Sequence, residues 1–81
     1  MDSQQRETDL GRTVFKLREA RELTQDQLHR RSGVSRVTIS KLETGQIGAP
    51  RIGTLRRLAE ALDVPVQSLL NPKKALASAT Q

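Results

Sequence analysis

Residues 24–45 carry the start and stop signals of two short helices, and these signals constrain the fold more than any other feature of the sequence. Thr24, followed three residues later by Gln27, has the form of a capping box, in which a hydroxyl and a side-chain amide satisfy the first free amides of a helix. That helix is predicted over Gln25–Ser32. It should stop at Gly33, because a left-handed backbone conformation costs glycine least.

A second short helix is predicted immediately after the first. Ser35 is a good N-cap for it, and Gly45 should close it beyond Glu43. The segment Val37–Ser40 also alternates apolar with polar residues and is rich in β-branched side chains, which favours a strand. No other segment alternates clearly, so a strand here would leave its backbone groups unpaired, whereas a helix satisfies its own. The helix is therefore the preferred interpretation.

At about 100° per residue, this second helix has two distinct faces. Ser35, Ile39 and Leu42 cluster on the face that should be buried. The opposite arc holds two cations, one hydroxyl and one small apolar group, which are Arg36, Lys41, Ser40 and Val37. On an isolated helix such an arc would more often be an ordinary solvated surface with one stray valine. Two short helices around a tight turn instead favour a helix-turn-helix, in which cations donate to guanine and an apolar group touches a thymine methyl.

Three further helices complete the predicted secondary structure. Helix one begins near Leu10, where apolar residues follow an i, i+4, i+7 spacing, and ends near Arg21. A fourth helix follows Pro50 and ends at Asp63, and the dipeptide Val64-Pro65 opens a short fifth helix.

An all-α domain is thus predicted over residues 9–70. Residues 1–8 should form a flexible polar arm, and residues 71–81 should form a flexible C-terminal tail. A chain of 81 residues is enough for one domain but supports only a marginal core, so dimerisation would help to stabilise it.

The composition narrows the class of partner. Fourteen lysines and arginines against nine acidic residues give a formal net charge of +5, which suggests a polyanion such as nucleic acid. Phe15 is the only aromatic residue, so there is no set of rings on which unpaired bases could stack. Double-stranded DNA is therefore the favoured partner.

Other classes of protein are disfavoured by what the sequence lacks. There is no cysteine, which excludes disulfides and cysteine-based metal sites and makes the reducing cytoplasm the expected location. Neither a membrane span nor a secretory signal is expected. His29 is the only histidine, and the sequence shows neither paired carboxylates nor a glycine-rich phosphate loop. We therefore predict no enzyme activity, no catalytic residues, no metal and no cofactor.

The sequence resembles the helix-turn-helix family of phage Cro and repressor proteins, the group also known as xenobiotic-response-element-like. The matching strings are LREARELTQDQLHRRSGVSRVTISKLETG and TLRRLAEALDVPVQSLL, and the similarity covers roughly residues 14–70. The resemblance implies a compact five-helix, lambda-repressor-like domain with the helix-turn-helix at helices two and three, about residues 24–43.

The resemblance also implies roles for individual residues. Arg36, Val37 and Lys41 match positions that read base edges in the major groove, and Ser40 lies between them. Gln25 matches a phosphate contact that also braces the recognition helix, and Arg51 matches a position that can face the minor groove. Thr38 matches a position that meets the DNA backbone or a neighbouring base, and Thr44 and Gln46 match positions where the turn approaches the backbone. Arg18 and Glu43 match a structural ion pair. The implied dimer surface lies around Val64, Val66 and Leu69.

Three positions depart from the family pattern. His29 stands where the family usually has alanine, and we expect a half-buried imidazole tilted toward solvent, with a pH-sensitive spacing of the two helices as the alternative. Glu22 replaces the usual glycine after helix one, which leaves the turn type there open. Arg51 and Gly53 replace a better cap for helix four, so that helix is expected to begin one or two residues late.

The leading functional hypothesis is a transcriptional regulator, most simply a repressor, that binds a pseudo-palindromic operator as a homodimer. The first alternative is an antitoxin that also controls its own promoter and holds a toxin with residues 1–8 or 73–81. A restriction–modification controller protein is a further alternative. A toxin or restriction-enzyme reading frame beside the gene would discriminate between these hypotheses.

Overall fold

The computed structural model describes residues 8–70, and every regular element in that range is an α-helix. The prediction of an all-α fold is confirmed, and the strand-like segment at Val37 lies inside a helix. The arm and tail predicted at the chain ends fall outside the described residues, apart from Thr8. The five helices are α1 (Asp9–Ala20), α2 (Gln25–Ser32), α3 (Arg36–Glu43), α4 (Ile52–Ala61) and α5 (Gln67–Leu70).

Helices α1, α2 and α3 start where a hydroxyl side chain accepts from a free backbone amide. Thr8 caps α1 by accepting from the Gly11 amide at 2.9 Å, so this residue belongs to the folded domain rather than to the arm. Thr24 and Gln27 form the reciprocal capping box of α2. The Gln27 backbone amide donates to Oγ1 of Thr24 at 3.0 Å, and the Thr24 backbone amide donates to Oε1 of Gln27 at 2.8 Å. Arg51 caps α4 without a side-chain hydrogen bond, and that helix begins at the next residue.

Left-handed residues end the helices. Glu22, at the position where the sequence leaves the turn type open, has φ +56°. Its amide donates to the Glu19 carbonyl at 2.9 Å, and the Leu23 amide donates to the Arg18 carbonyl at 3.0 Å. These two bonds define a Schellman turn, so a glutamate makes the turn that glycine usually makes. Asp63 closes α4 in the same way, with φ +60°.

The core consists of one contiguous cluster of aliphatic side chains contributed by all five helices and the turns between them. Helix α3 packs against α1 and α2, while α4 packs against α2 and α5. The largest side chains with no appreciable exposure are Val14, Leu28, Ile39, Leu42, Leu58, Leu62 and Leu69. Because α3 supplies Ile39 and Leu42 to this cluster, packing holds its inner side against the core.

Helix α1 approaches the end of α3 unusually closely at Gly11. A Cβ atom at this position would collide with the carbonyl oxygen of Leu42. Glycine is therefore required here for lack of a side chain, not for its backbone freedom, and it lets α1 support the C-terminal end of α3. None of the helices in residues 8–70 is long and apolar enough to cross a membrane.

Candidate nucleic-acid interface

The outward face of α3 carries the side chains that the helical wheel places there. Val37 is 62% exposed although it is apolar, and Arg36 and Lys41 are also exposed. Ser40 is half-buried beside them. This surface, which we call the α3 face, combines guanidinium, ammonium, hydroxyl and isopropyl groups on one rigid helix.

Thr38, at the edge of the α3 face, takes part in capping the helix. Its amide donates to the Ser35 hydroxyl oxygen at 3.0 Å, and that hydroxyl in turn donates to the Thr38 hydroxyl oxygen at 2.9 Å. A hydroxyl that accepts in this way keeps its own proton for another acceptor. Thr38 can therefore still donate to a phosphate or a base while its position is held by the cap.

A buried ion pair ties the end of α3 to α1. The Arg18 Nε and Nη2 groups donate to the two carboxylate oxygens of Glu43 at 2.7 and 3.0 Å. The two side chains are 8% and 5% exposed. Nη1 of Arg18 donates to the Leu23 carbonyl at 2.6 Å, so the guanidinium also holds the α1–α2 turn. The hydrogen bond to Glu43 raises the pKa of Arg18 above its ordinary value, against the opposing effect of burial.

Gln25, the first residue of α2, joins the same cluster. Its side-chain amide donates to Glu43 Oε1 at 3.0 Å, and the residue is half-buried. Gln25 therefore links the start of α2 to the end of α3, as a bracing residue would. The contact between Gln25 and a phosphate stays a prediction.

Thr44 and Gln46 lie together in the turn that follows α3. The Thr44 hydroxyl donates to the Ser40 carbonyl at 3.0 Å and accepts from the Gln46 side-chain amide at 3.2 Å. Gly45, with φ +82°, allows the turn, and the Gln46 backbone amide donates to the Lys41 carbonyl at 2.8 Å. Both side chains are exposed. Arg51 is also exposed but lies further along the chain, at the start of α4.

Phe15 shares a surface cleft with several of these residues, although the sequence pattern did not single it out as a site residue. The cleft has a volume of about 270 Å³ and is lined by Arg12, Phe15, Gln25, Glu43 and Thr44. Phe15 is 44% exposed, and the Arg18 guanidinium carbon lies 5.3 Å from the centre of its ring. A helical wheel of α1 would have indicated an outward position, because Phe15 lies about 100° from the buried Val14, on the side away from Leu17.

The residues predicted for a dimer surface do not share one environment. Val64 and Val66 are half-buried against the core, but Leu69 is only 1% exposed. Helix α5 packs against both α1 and α4, which places Leu69 inside the domain. Leu70 and Ile52 are instead the exposed large apolar residues in this part of the chain, at 44% and 48%.

A protein-family profile described as a helix-turn-helix domain matches residues 9–71. Two curated proteins of Bacillus subtilis (strain 168), the uncharacterised HTH-type transcriptional regulator RghRB and the HTH-type transcriptional repressor RghR, are each 45% identical to this chain over 60 residues. The match covers 74% of this chain and 43% and 44% of the two relatives, so the chain spans less than half of their length.

Proposed function

Since the chain belongs to the helix-turn-helix domain family, we propose that it binds double-stranded DNA in a sequence-specific manner and regulates transcription. The observation that carries the proposal is the α3 face. An apolar side chain and two cations are exposed on a helix whose opposite side, at Ile39 and Leu42, is 0% exposed. A helix held in this way presents its outer side chains at defined positions, which base readout requires.

The chemistry of the α3 face suits the major groove. Arg36 and Lys41 can donate to O6 and N7 of guanine, and Val37 can contact the methyl group of thymine. Ser40 can donate to or accept from a base or a phosphate. The exposure of Val37 is costly in water but favourable against a thymine methyl, which supports a role in readout rather than in solubility.

Phosphate contacts would position the protein on the duplex. Gln25 bonds to Glu43 from the start of α2, Thr44 and Gln46 lie in the turn after α3, and Thr38 keeps a free hydroxyl proton. Arg51 is our candidate for the minor groove. The formal net charge of +5 supports a salt-dependent affinity for DNA in which such contacts release counterions.

The finer parts of the proposal are the Cro/repressor type, repression and dimerisation. One similar protein is named as a repressor, which supports repression. A twofold dimer would place two α3 helices about 34 Å apart on a pseudo-palindromic operator. With Leu69 buried, Val64, Val66, Ile52 and Leu70 are the residues proposed for its surface. No observation on residues 8–70 favours the antitoxin or the restriction–modification controller, and the toxin-binding segments would lie outside the described residues, except for Thr8.

Selection of duplexes from a random pool, followed by sequencing, tests the proposal. We expect one enriched motif with two half-sites. Arg36→Ala should relax the preference at one base position in each half-site and weaken binding to the motif by about 1–3 kcal/mol, because a bidentate base contact is lost.

Lys16→Ala is the matched control, since it removes the same charge from an exposed position on α1. It should leave the motif unchanged. A pool without any enriched sequence would refute sequence-specific binding. A uniform loss of affinity in Arg36→Ala across all duplexes would make Arg36 a phosphate contact instead.

A further inference from the structure

The turn between α2 and α3 is held by two side chains of α2 that bind both backbone polar groups of one residue, Val34. Gly33, with φ +76°, reverses the chain, and Val34 follows it with its side chain in the core at 6% exposure. The Val34 amide donates to the hydroxyl of Ser32 at 3.0 Å. The carbonyl oxygen of the same residue lies 2.8 Å from Nδ1 of His29. Both polar backbone groups of Val34 are therefore satisfied by the preceding helix.

The contact at His29 defines the state of its ring. A carbonyl oxygen can only accept, so Nδ1 must carry the proton and donate it. The neutral ring is thereby fixed as the Nδ1–H tautomer, and Nε2 is the nitrogen without a proton. The half-buried position that the sequence led us to expect is observed, but the ring also has a defined hydrogen-bonding task.

The position of Val34 matters because α3 starts directly after it. Ser35 is the N-cap of α3, and Arg36 and Val37 are its first two residues. The carbonyl that His29 binds belongs to the peptide group between Val34 and Ser35. A rotation of that peptide group would change the direction in which α3 leaves the turn. Arg36 and Val37 would be displaced first.

We infer that His29 is a positioning residue for DNA reading: its Nδ1–H, bonded to the Val34 carbonyl, sets the direction of α3 and with it the placement of Arg36 and Val37 against the bases. This inference rests on the proposed function. It assigns His29 no contact with DNA.

Three substitutions at His29 separate this role from simple packing. In His29→Asn the side-chain amide nitrogen can take the place of Nδ1, in His29→Gln the amide reaches toward the place of Nε2, and in His29→Ala the donor is absent. We expect His29→Ala and His29→Gln to lower affinity for the selected motif about fivefold, the effect of one hydrogen bond, with little change for unrelated duplexes. His29→Asn should bind the motif nearly as well as the wild-type protein.

The ratio of affinities for the motif and for unrelated DNA is the deciding measurement, with thermal unfolding of each variant as the control for folding. A purely structural role would lower both affinities together in step with stability, and that result would overturn the inference. If His29→Ala does not fold, the comparison of His29→Asn with His29→Gln decides in the same way. Equal ratios in those two variants would then refute the role.

A second measurement needs no DNA. Nitrogen-15 NMR of the free wild-type protein should show the neutral ring as the Nδ1–H tautomer. An Nε2–H tautomer would overturn the inference even if the protein binds its motif. Failure of the wild-type protein to select any motif would instead refute the proposed function, and the role of His29 with it, while the tautomer would still report whether the hydrogen bond exists.

Discussion

At the scale of the residue, the carboxylate of Glu43 joins three helices, because it accepts from Arg18 of α1 and Gln25 of α2 while it belongs to α3. Forming a buried ion pair removes two charges from water, so the net stabilisation from the complete pair is small. Removing one partner is a different matter, because the other charge is left buried and unpaired.

Glu43→Ala should therefore lower the free energy of unfolding by about 3–5 kcal/mol, as measured by urea denaturation. Asp26→Ala is the matched control, because it breaks the exposed Arg30–Asp26 pair, whose side chains are 76% and 41% exposed. That control should cost less than about 1 kcal/mol. Similar losses in the two variants would contradict the energetic role of burial at Glu43.

The dependence of stability on pH follows from the direction in which the pKa of Arg18 is shifted. Because the folded-state pKa of Arg18 is raised, its contribution to stability is complete at lower pH and is lost only as the pH rises through that raised value. The stability difference between wild-type protein and Glu43→Ala should thus stay constant from neutral to mildly alkaline solution. A decline within that range would show that Arg18 loses its proton earlier than its environment predicts.

Sequence reasoning at this scale succeeds where a side chain's direction is set by its own helix. The outward position of Val37 and the inward positions of Ile39 and Leu42 follow from helical periodicity alone. It fails where the environment comes from another element. Leu69 is buried because α5 packs against α1 and α4, a fact that no local pattern contains. The bracing role of Gln25 was implied by the family resemblance, not by the pattern of its own helix.

At the scale of the element, the starts of α2 and α3 follow from the local capping chemistry of Thr24 and Ser35 and are readable in the sequence. The stops are less uniform, because Glu22 and Asp63 adopt left-handed backbone angles that side chains usually avoid. Glu22→Gly should raise the free energy of unfolding by up to about 1 kcal/mol, since the relief of backbone strain exceeds the added freedom of the unfolded chain. Lys16→Gly, within α1, should instead lower it by about 1 kcal/mol. A loss of stability in Glu22→Gly would mean that the Glu22 side chain stabilises the turn.

The contact between α1 and α3 depends on the absence of a side chain at Gly11. Gly11→Ala should lower the free energy of unfolding by about 1–3 kcal/mol, because backbone must move away from the added methyl group. Gly53→Ala is the matched control, since nothing lies within 4 Å of a Cβ atom there and the residue is helical. That change should stabilise by about 0.5–1 kcal/mol. Thermal unfolding of both variants checks the pair, and an unchanged midpoint in Gly11→Ala would refute the close approach.

At the scale of the whole molecule, the proposed dimer can be tested by sedimentation with and without the selected duplex. We expect two chains on a duplex with both half-sites. Leu70→Glu should weaken the complex and let the two half-sites fill independently of each other, without unfolding the domain, because that side chain is already 44% exposed. A single wild-type chain on the full duplex would exclude the two-half-site arrangement. The fold class was predictable at this scale, whereas the set of apolar residues that stays exposed was not, because it depends on how the helices pack against one another.

Hydrogen bonds hold the helix pair α2–α3 together at both of its ends. At one end Gln25 donates to Glu43, and at the other His29 donates to the Val34 carbonyl while Ser32 accepts from the Val34 amide. None of the residues that make these hydrogen bonds belongs to the α3 face, which consists of Arg36, Val37, Ser40 and Lys41. Replacing those four should therefore retarget the protein to other DNA sequences without disturbing its scaffold. In the proposed function, the side chains that read DNA and the side chains that hold the helices are therefore separate sets, so each set can be redesigned, or can diverge, independently of the other.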